Sequence, residues 1–470
     1  MQKTLLILIL TIFSHFLQAQ PKLVSATYIG ETPDTLFTSY SANAIFSVHS
    51  FKLTYITSNI HGDTTIASGF LAVPDSSGCD SMPMVAYTHG TVLNKSNVPS
   101  ANNAEAFFTK IFASTGAAAV APDYLGLGVD EGLHPYLHAS SEATATIDLM
   151  RAAKEFLKDS LNVNCTKETF ITGNSQGGHA AMATLKYIND SALASEFDII
   201  AAAPISGPYD ILGTLGGILM KDEPFAYPSF VCYALFSMNR VYGDIFQNYD
   251  ELLKSPYDTL IPPLFNGNYG LGIIDSLLPD TLSLFIRDSV INNFRKDSIA
   301  GKHPIRRALK AQDVYNWKPT YPMELYYCNL DEIVNPQNAI TTASIMSKKG
   351  ANVSAIDSGA YNHGSCALPG LQGAISLFLS KKRSCNFISV PQTALDDQIQ
   401  VFPNPAGNWF SILGFDNQVR LTVLTADGQP ILRKQLSSGA TFSTHTWPAG
   451  IFTLVIQLKD EVITHKLVKQ

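Results

Sequence analysis

The sequence has little charge and no long apolar run. Asp, Glu, Lys and Arg make up 15% of its 470 residues, and no cluster of five or more Lys and Arg occurs. With a formal net charge of −7, nucleic acid and anionic membrane surfaces are poor partners, because both are held by concentrated positive charge. Low charge beside 46% apolar residues also excludes global disorder, since a sizeable core can be buried. No stretch past the N-terminus approaches the roughly 18 consecutive apolar residues of a membrane-spanning helix. Internal repeats and low-complexity tracts are absent as well. The length then points to two or three globular units.

The N-terminus carries an export signature. Lys3 supplies a short positive segment, and Leu5 to Phe13 are apolar apart from Thr11. Leu17-Gln18-Ala19 offers a small residue for cleavage after Ala19. The run is too short to span a bilayer, so residues 1–19 read as a signal peptide and the mature chain as exported. The six cysteines are even in number and compatible with three disulfides in an oxidising compartment, in any of about 15 connectivities.

Two β-branched, aromatic-rich runs, Phe51 to Ile60 and Thr64 to Pro74, read as strands. Alternation follows. Strands are expected at Met84 to Tyr87, Ala117 to Ala121, Thr169 to Thr172 and Ile199 to Ala203, and helices at Glu105 to Thr115, Ser141 to Leu157 and Gly178 to Ile188. Such a pattern implies a mostly parallel sheet covered on both faces. From about 207 to 318 it lapses into helical patterns such as Leu282-Leu284-Phe285-Val290-Ile291-Phe294. The sheet resumes at Met323 to Cys328 and Val353 to Ile356, followed by a helix from Leu371 to Lys381. Both ends of the insertion return to one sheet, so it reads as a helical cap over the strand ends. Residues 386–400 are polar and read as a linker. Beyond them, short strands at Trp409 to Leu413, Leu421 to Thr425, Ile451 to Leu458 and Val462 to Val468 predict an all-β unit over 401–470.

Chemistry concentrates at Gly173-Asn174-Ser175-Gln176-Gly177, a Gly-x-Ser-x-Gly between an apolar strand and an Ala-rich helix. That context suits a tight turn that lifts a serine above a sheet, the nucleophile elbow of an α/β-hydrolase. The glycines are needed where a side chain would clash. A serine hydroxyl is a weak nucleophile until a base takes its proton. In this fold the triad runs Ser, acid, His. Of eleven histidines, only His363, His445 and His465 follow the last candidate acid, and the last two belong to the C-terminal unit. His363, in a turn after the final strand, is therefore the expected base. The acid should leave the preceding strand, which selects Asp331 over Glu332, with Asp357 as runner-up. The backbone N–H of Gln176 and that of Thr91 (Gly90 as alternative) are the expected oxyanion donors. His89 reads as a brace for that loop. Tyr124 binds substrate, bonds the oxyanion loop, or serves equally well as a plain turn and packing residue.

Taken in order, Thr88-His89-Gly90-Thr91, Asp123-Tyr124-Leu125-Gly126-Leu127-Gly128, His134-Pro135-Tyr136, Arg151-Ala152-Ala153 and Gly173-Asn174-Ser175-Gln176-Gly177-Gly178 resemble the secretory lipase family, typified by the fungal lipase A type. The resemblance covers roughly residues 40 to 383. It implies carboxylic ester hydrolysis through an acyl-enzyme, no metal or cofactor, an ester or lipid substrate, and a cap between the sixth and seventh core strands where a lipid interface would be met. The segments Val401-Phe402-Pro403-Asn404-Pro405-Ala406, Thr425-Ala426-Asp427-Gly428-Gln429 and Pro448-Ala449-Gly450-Ile451-Phe452, with Lys466 and Lys469, resemble a type A sorting domain. Phe402 and Phe452 stand where that family usually has Tyr. This resemblance implies passage through the type IX secretion machinery, removal of the domain, and release or attachment at the cell surface. A carbohydrate-binding β-sandwich is the rival reading of this unit.

Strand order in the α/β-hydrolase fold makes the strands at Met84 and Thr169 neighbours, and it implies a Cys79–Cys165 disulfide. Cys366 with Cys385 is a second pairing, against a role for Cys366 as buried filler. The function expected is a secreted Ser175–His363–Asp331 ester hydrolase. The alternatives are a serine peptidase of the prolyl-peptidase-like branch, whose N-terminal propeller has no room here, and a catalytically inactive surface binding protein.

Overall fold

The structure, a computed structural model, describes residues 22–469 except 39, 42, 76–80, 222, 298, 384–398, 416–417, 426–429 and 458–461. The export segment, the 386–398 part of the linker, Cys79, Cys385 and most of the Asp427 motif fall outside the described residues. The chain divides into two units, 1–385 and 386–470.

Nine strands form the sheet of the first unit: β1 (Leu23–Thr32), β2 (Val48–Ser58), β3 (Thr64–Pro74), β4 (Ser81–Thr88), β5 (Ala118–Pro122), β6 (Asn164–Asn174), β7 (Asp198–Ile205), β8 (Met323–Tyr327) and β9 (Val353–Asp357). Their order is β1-β2-β3-β5-β4-β6-β7-β8-β9. The pairs from β1 to β5 are antiparallel, and those from β5 through β4 to β9 are parallel. Three antiparallel strands, β1 to β3, thus precede a parallel sheet whose strands are joined by crossovers.

The strand period of two divides the core. Met84, Ala86 and Ile171 face a layer that includes α2 (Ala139–Leu161) and α3 (Gln176–Asp190), with Leu149, Met150, Met182 and Leu185. Val85, Tyr87 and Phe170 face α1 (Ala104–Ala113) and the helix His363–Lys381, with Phe112, Ile375 and Phe378. Both faces are buried, which is why the central strands read as continuous apolar runs.

The 207–318 stretch contains helices, among them Ile211–Met220, Pro228–Tyr242, Asp288–Lys296 and Pro304–Lys310, inserted between β7 and β8. It has its own core of Ile211, Leu215, Phe236, Phe285 and Phe294, joined by Leu93 and Tyr136 from the sheet's loops. Counting from β2, its flanking strands are the sixth and seventh.

Two elements of the first unit were not expected. Edge strand β1 has a mostly exposed, weakly patterned sequence, and only its pairing with β2 reveals it. The helix Gln337–Lys348 buries Ala339, Thr342, Ala343 and Met346, a helical stripe masked by small and hydroxylated residues. The last helix starts at His363 rather than Leu371. Asn362 caps it by accepting from Ser365 N at 2.9 Å, and Pro369 lies inside it. Pro369 stands past the unpaired N–H groups of the first turn, so it removes one bond of the ladder, the one that Ser365 O would have accepted.

The second unit comprises β10 (Gln400–Phe402), β11 (Trp409–Leu413), β12 (Val419–Leu424), β13 (Pro430–Leu436), β14 (Ala440–Ser443), β15 (Gly450–Gln457) and β16 (Val462–Lys469). They form antiparallel sheets ordered β10-β11-β14 and β13-β12-β15-β16. Phe410, Phe442, Leu421, Val423, Phe452 and Leu454 make the core, with the Phe410 and Phe442 rings stacked at 5.1 Å.

Leu149 is fully buried, and its Cδ2 lies 2.6 Å from where a Cβ on Gly69 of β3 would stand. Leu149→Ala should therefore destabilise the first unit by about 2–5 kcal/mol, read as a lowered midpoint in urea denaturation. An unchanged midpoint would contradict this packing.

Candidate active site

The elbow is built by a close approach of α3 to β4. Ser175 adopts φ 61° and ψ −122°, a left-handed conformation that costs a non-glycine residue about 1–3 kcal/mol. Its N–H donates to Ile205 O at 2.9 Å. A Cβ on Gly177 would stand 1.9 Å from Thr88 O, and one on Gly173 would stand 2.0 Å from Thr88 Oγ1. Only glycine fits at either place. The Thr88 hydroxyl lies 2.6 Å from Gly177 O and 3.0 Å from Thr172 O, fastening the turn on both sides.

Ser175, Asp331 and His363 come together. His363 Nδ1 lies 2.8 Å and 2.9 Å from the two Asp331 carboxylate oxygens. A carboxylate accepts, so Nδ1 carries the proton and Nε2 accepts from the Ser175 hydroxyl at 2.8 Å. Asp331 and His363 are buried. Asp331 Oδ1 also accepts from Val334 N at 2.8 Å and Ile333 N at 3.1 Å, which fixes the acid in its turn. Glu332 accepts from the backbone N–H of His363 at 3.0 Å. Asp357, the runner-up acid, instead accepts from Asn329 Nδ2 and Gly359 N.

Gln176 opens α3, where the first N–H groups have no intrahelical acceptor. The Thr91 N–H has no hydrogen-bond acceptor among the described residues. Gly90 lies against the elbow, a Cβ on it being 3.9 Å from Ser175 Cβ. The loop is braced from the insertion, where Tyr233 Oη donates to Val92 O and stacks on Tyr136, whose hydroxyl lies 3.1 Å from Thr91 Oγ1. The His89 ring lies between Gly90 O and Asp123 O. Tyr124 is buried and donates its hydroxyl to His89 O at 3.1 Å. The hydrogen bond that Tyr124 makes is thus to the loop after β4.

The cysteines are arranged differently from expectation. Cys328 and Cys366 form a disulfide closing 38 residues. Cys366 sits in the first turn of the His363 helix, beside the end of β8, so it meets Cys328 and not Cys385. Loop-closure entropy credits such a link with about 4 kcal/mol, and it staples the acid turn to the base's helix. Cys165 is a free thiol, so the Cys79–Cys165 pairing is not formed. β6 begins at Asn164, which places Cys165 inside the ladder opposite Met82 and not in a loop ahead of it.

Beneath the elbow lies a polar cluster that motif reasoning missed. Glu142 and His179 are wholly buried and bonded at 2.8 Å. Burial is the largest single influence and opposes both charges, and the partner's charge together with the hydrogen bonds around the pair outweighs it. The Glu142 carboxyl is held below its ordinary value and the His179 imidazole above its own. Neighbouring His134 is pushed down to about 4, first by burial. One signal was available: Glu142 falls on the buried stripe of α2 with Thr146, Leu149, Met150 and Ala153. A carboxylate there demands a partner.

A cleft of about 660 Å³ runs along the Asp331–Glu332 turn, walled by the helix Ile211–Met220 of the insertion and by Gln337–Lys348. Asp210, Thr214, Tyr315, Asn335, Gln337 and Asn338 are among its lining residues. Among the described residues no group of His, Cys, Asp and Glu could hold a metal ion, and no helix is long and apolar enough to cross a membrane.

A sheet of this order, with a serine on a strand-to-helix elbow facing a histidine, defines an α/β-hydrolase. Residues 95–383 match the secretory lipase family, more than half of the chain, and the chain belongs to that family. Residues 400–470 match the secretion system C-terminal sorting domain. No curated protein matches in sequence. Among solved structures, LipA, a rice cell wall degrading esterase from Xanthomonas oryzae, superposes with TM-score 0.70 at 28% identity, covering 78% of this chain and 100% of LipA. Candida antarctica lipase A shares the fold at TM-score 0.54 and 16% identity, over 73% of this chain and 77% of that one. The protein is a carboxylic ester hydrolase, secreted or displayed at the cell surface through the type IX machinery.

The buried pair sets a pH window. Glu142, with a lowered folded pKa, contributes stability present above its unfolded value and lost as pH falls through the folded one. His179, with a raised folded pKa, contributes stability present below its unfolded value and lost as pH rises through the folded one. Both contributions are complete between about pH 4.3 and 6.5. The stability gap between wild type and His179→Gln in denaturant titrations should be widest there and narrow on both sides. A pH-independent gap would contradict the ion pair.

Proposed function

We propose that Ser175 is the nucleophile, His363 the general base and Asp331 the acid of a two-step acyl transfer. The observation that carries this is the continuous hydrogen-bonded path from the Ser175 hydroxyl through His363 to Asp331. Ser175 attacks the ester carbonyl while Nε2 takes its proton, and Asp331 orients the ring and stabilises its cation. The N–H groups of Gln176 and Thr91 receive the developing oxyanion, a contribution worth about 10²–10³ in rate per donor. His363 then protonates the departing alcohol, and water attacks the acyl-enzyme with the same base.

The cleft beside the Asp331 turn mixes polar Asp210, Thr214 and Asn338 with apolar Ile218, Phe225 and Ile345, and Ser175 and His363 are not among its lining residues. The expectation of short acyl chains therefore rests on the likeness to an esterase. The relative LipA is by its name a cell-wall-degrading esterase, in keeping with a polar substrate. Met220, Ile273, Leu277 and Leu284 on the insertion are exposed and support a lipid-facing role for it. Removal of residues 1–19 and later of the sorting domain, with 386–400 as the connecting segment, completes the proposed maturation.

Hydrolysis of p-nitrophenyl esters from acetate to palmitate tests the reading. Short esters should turn over fastest, and Ser175→Ala should lose at least about 10⁴-fold in kcat. A rate that jumps once the longer esters aggregate would confirm the lipid-facing surface; a smooth rise would remove it. Activity on peptide amides without ester turnover would move the protein to a peptidase. The mass of the exported chain checks maturation: a start at Gln20 and an end within 386–400 are expected, and an intact C-terminus would contradict removal.

A further inference from the structure

The polar cluster under Ser175 has a directional logic that ends on Gln176. His134 Nδ1 lies 2.7 Å from Leu125 O. A carbonyl only accepts, so Nδ1 holds the proton and Nε2 is left to accept. Gln176 Nε2 lies 2.7 Å from that nitrogen and 2.8 Å from Glu142 Oε1. Both amide hydrogens of Gln176 therefore have fixed acceptors. The other Glu142 oxygen takes His179 Nδ1 at 2.8 Å, and His179 Nε2 reaches Gln312 O at 2.9 Å. His134, Glu142, Gln176 and His179 are all buried, so water does not compete for these bonds.

Four polar side chains are a poor way to fill a core, since apolar residues of similar volume often serve stability as well or better. What they supply is direction. The chain of bonds joins the loop at Leu125, helix α2, helix α3 and Gln312 at the end of the insertion, and each donor admits one acceptor. Gln176 is the residue after Ser175, and its side chain is clamped at two points while its own N–H opens helix α3, where the first N–H groups have no intrahelical acceptor.

We propose that Glu142, His134 and His179 are positioning residues which hold Gln176, and through it the oxyanion-binding N–H, in the orientation the transition state needs. The inference rests on Gln176 N–H being an oxyanion donor of the Ser175 reaction.

Two variants test it. Glu142→Gln can accept from Gln176 or from His179 but not from both, and Gln176→Met keeps the backbone N–H while releasing both clamps. Kinetics on p-nitrophenyl butyrate would be normalised to sites titrated by a fluorophosphonate, beside the affinity for an alkylboronic acid. The boronic acid forms a tetrahedral adduct on serine that mimics the transition state. The expected result is a fall in kcat per titrated site of about 10–100-fold, KM within about threefold, and boronic acid affinity reduced by the same factor as kcat. A merely structural cluster would lower the number of titrated sites and leave kcat per site and boronic acid affinity within about twofold of wild type, which would overturn the proposal. Should Glu142→Gln fail to fold, Gln176→Met decides alone. Full turnover by Ser175→Ala would be a different failure, sinking the triad reading on which the inference stands.

Discussion

Contact between helix α3 and strand β4 at Thr88 is the constraint from which the rest of the site follows. Gly173 and Gly177 approach Thr88 so closely that any side chain would collide with it, and Ser175 between them is held with φ at 61°. That conformation is unfavourable by about 1–3 kcal/mol. It persists because the Thr88 hydroxyl and Ile205 O hold the turn from two neighbouring strands. The strain raises the hydroxyl to where His363 Nε2 meets it at 2.8 Å and sets Ser175 at the start of α3, whose first N–H groups have no intrahelical acceptor.

Two further devices keep the partners in register with the serine. The Cys328–Cys366 disulfide ties the end of β8 to the helix that begins at His363, so the elements carrying Asp331 and His363 are linked covalently as well as by hydrogen bonds. On the other side, the insertion reaches back through Tyr233 to Val92 O and through Gln312 to His179. The inserted helices thereby brace both the loop after β4 and helix α3. Preorganisation of this kind costs nothing at the moment of reaction, which is why fixed dipoles outperform mobile ones.

Much of the fold could be read from the sequence, as could Ser175, His363 and Asp331, which the structure brings within hydrogen-bond distance of one another. The buried central strands are short, apolar and separated by amphipathic helices, and a glycine-flanked serine between a strand and a helix has few other meanings. Chain order then picks out Asp331 and His363. What escaped depended on information that local pattern does not carry. Strand β1 is half exposed, and Pro430–Leu436 buries only Leu436 among its residues, so neither shows a clean alternation. The cysteine pairing turned on where β6 begins by a few residues and on Pro369 being accommodated within a helix. Tyr124 is fixed by an αL backbone, φ 69°, and by one carbonyl 35 residues away. Glu142 was visible as a carboxylate on an apolar stripe, though its partners lie on separate elements.

The central claim is that Ser175 is made reactive by His363 in this geometry, and covalent labelling reads it most directly. Folded protein treated with a fluorophosphonate and digested should carry a single adduct, on the peptide containing Ser175. That adduct should be lost on unfolding in urea and in a His363→Ala variant. Labelling of another serine, or equal labelling of Ser175 in folded and unfolded chains, would contradict the account.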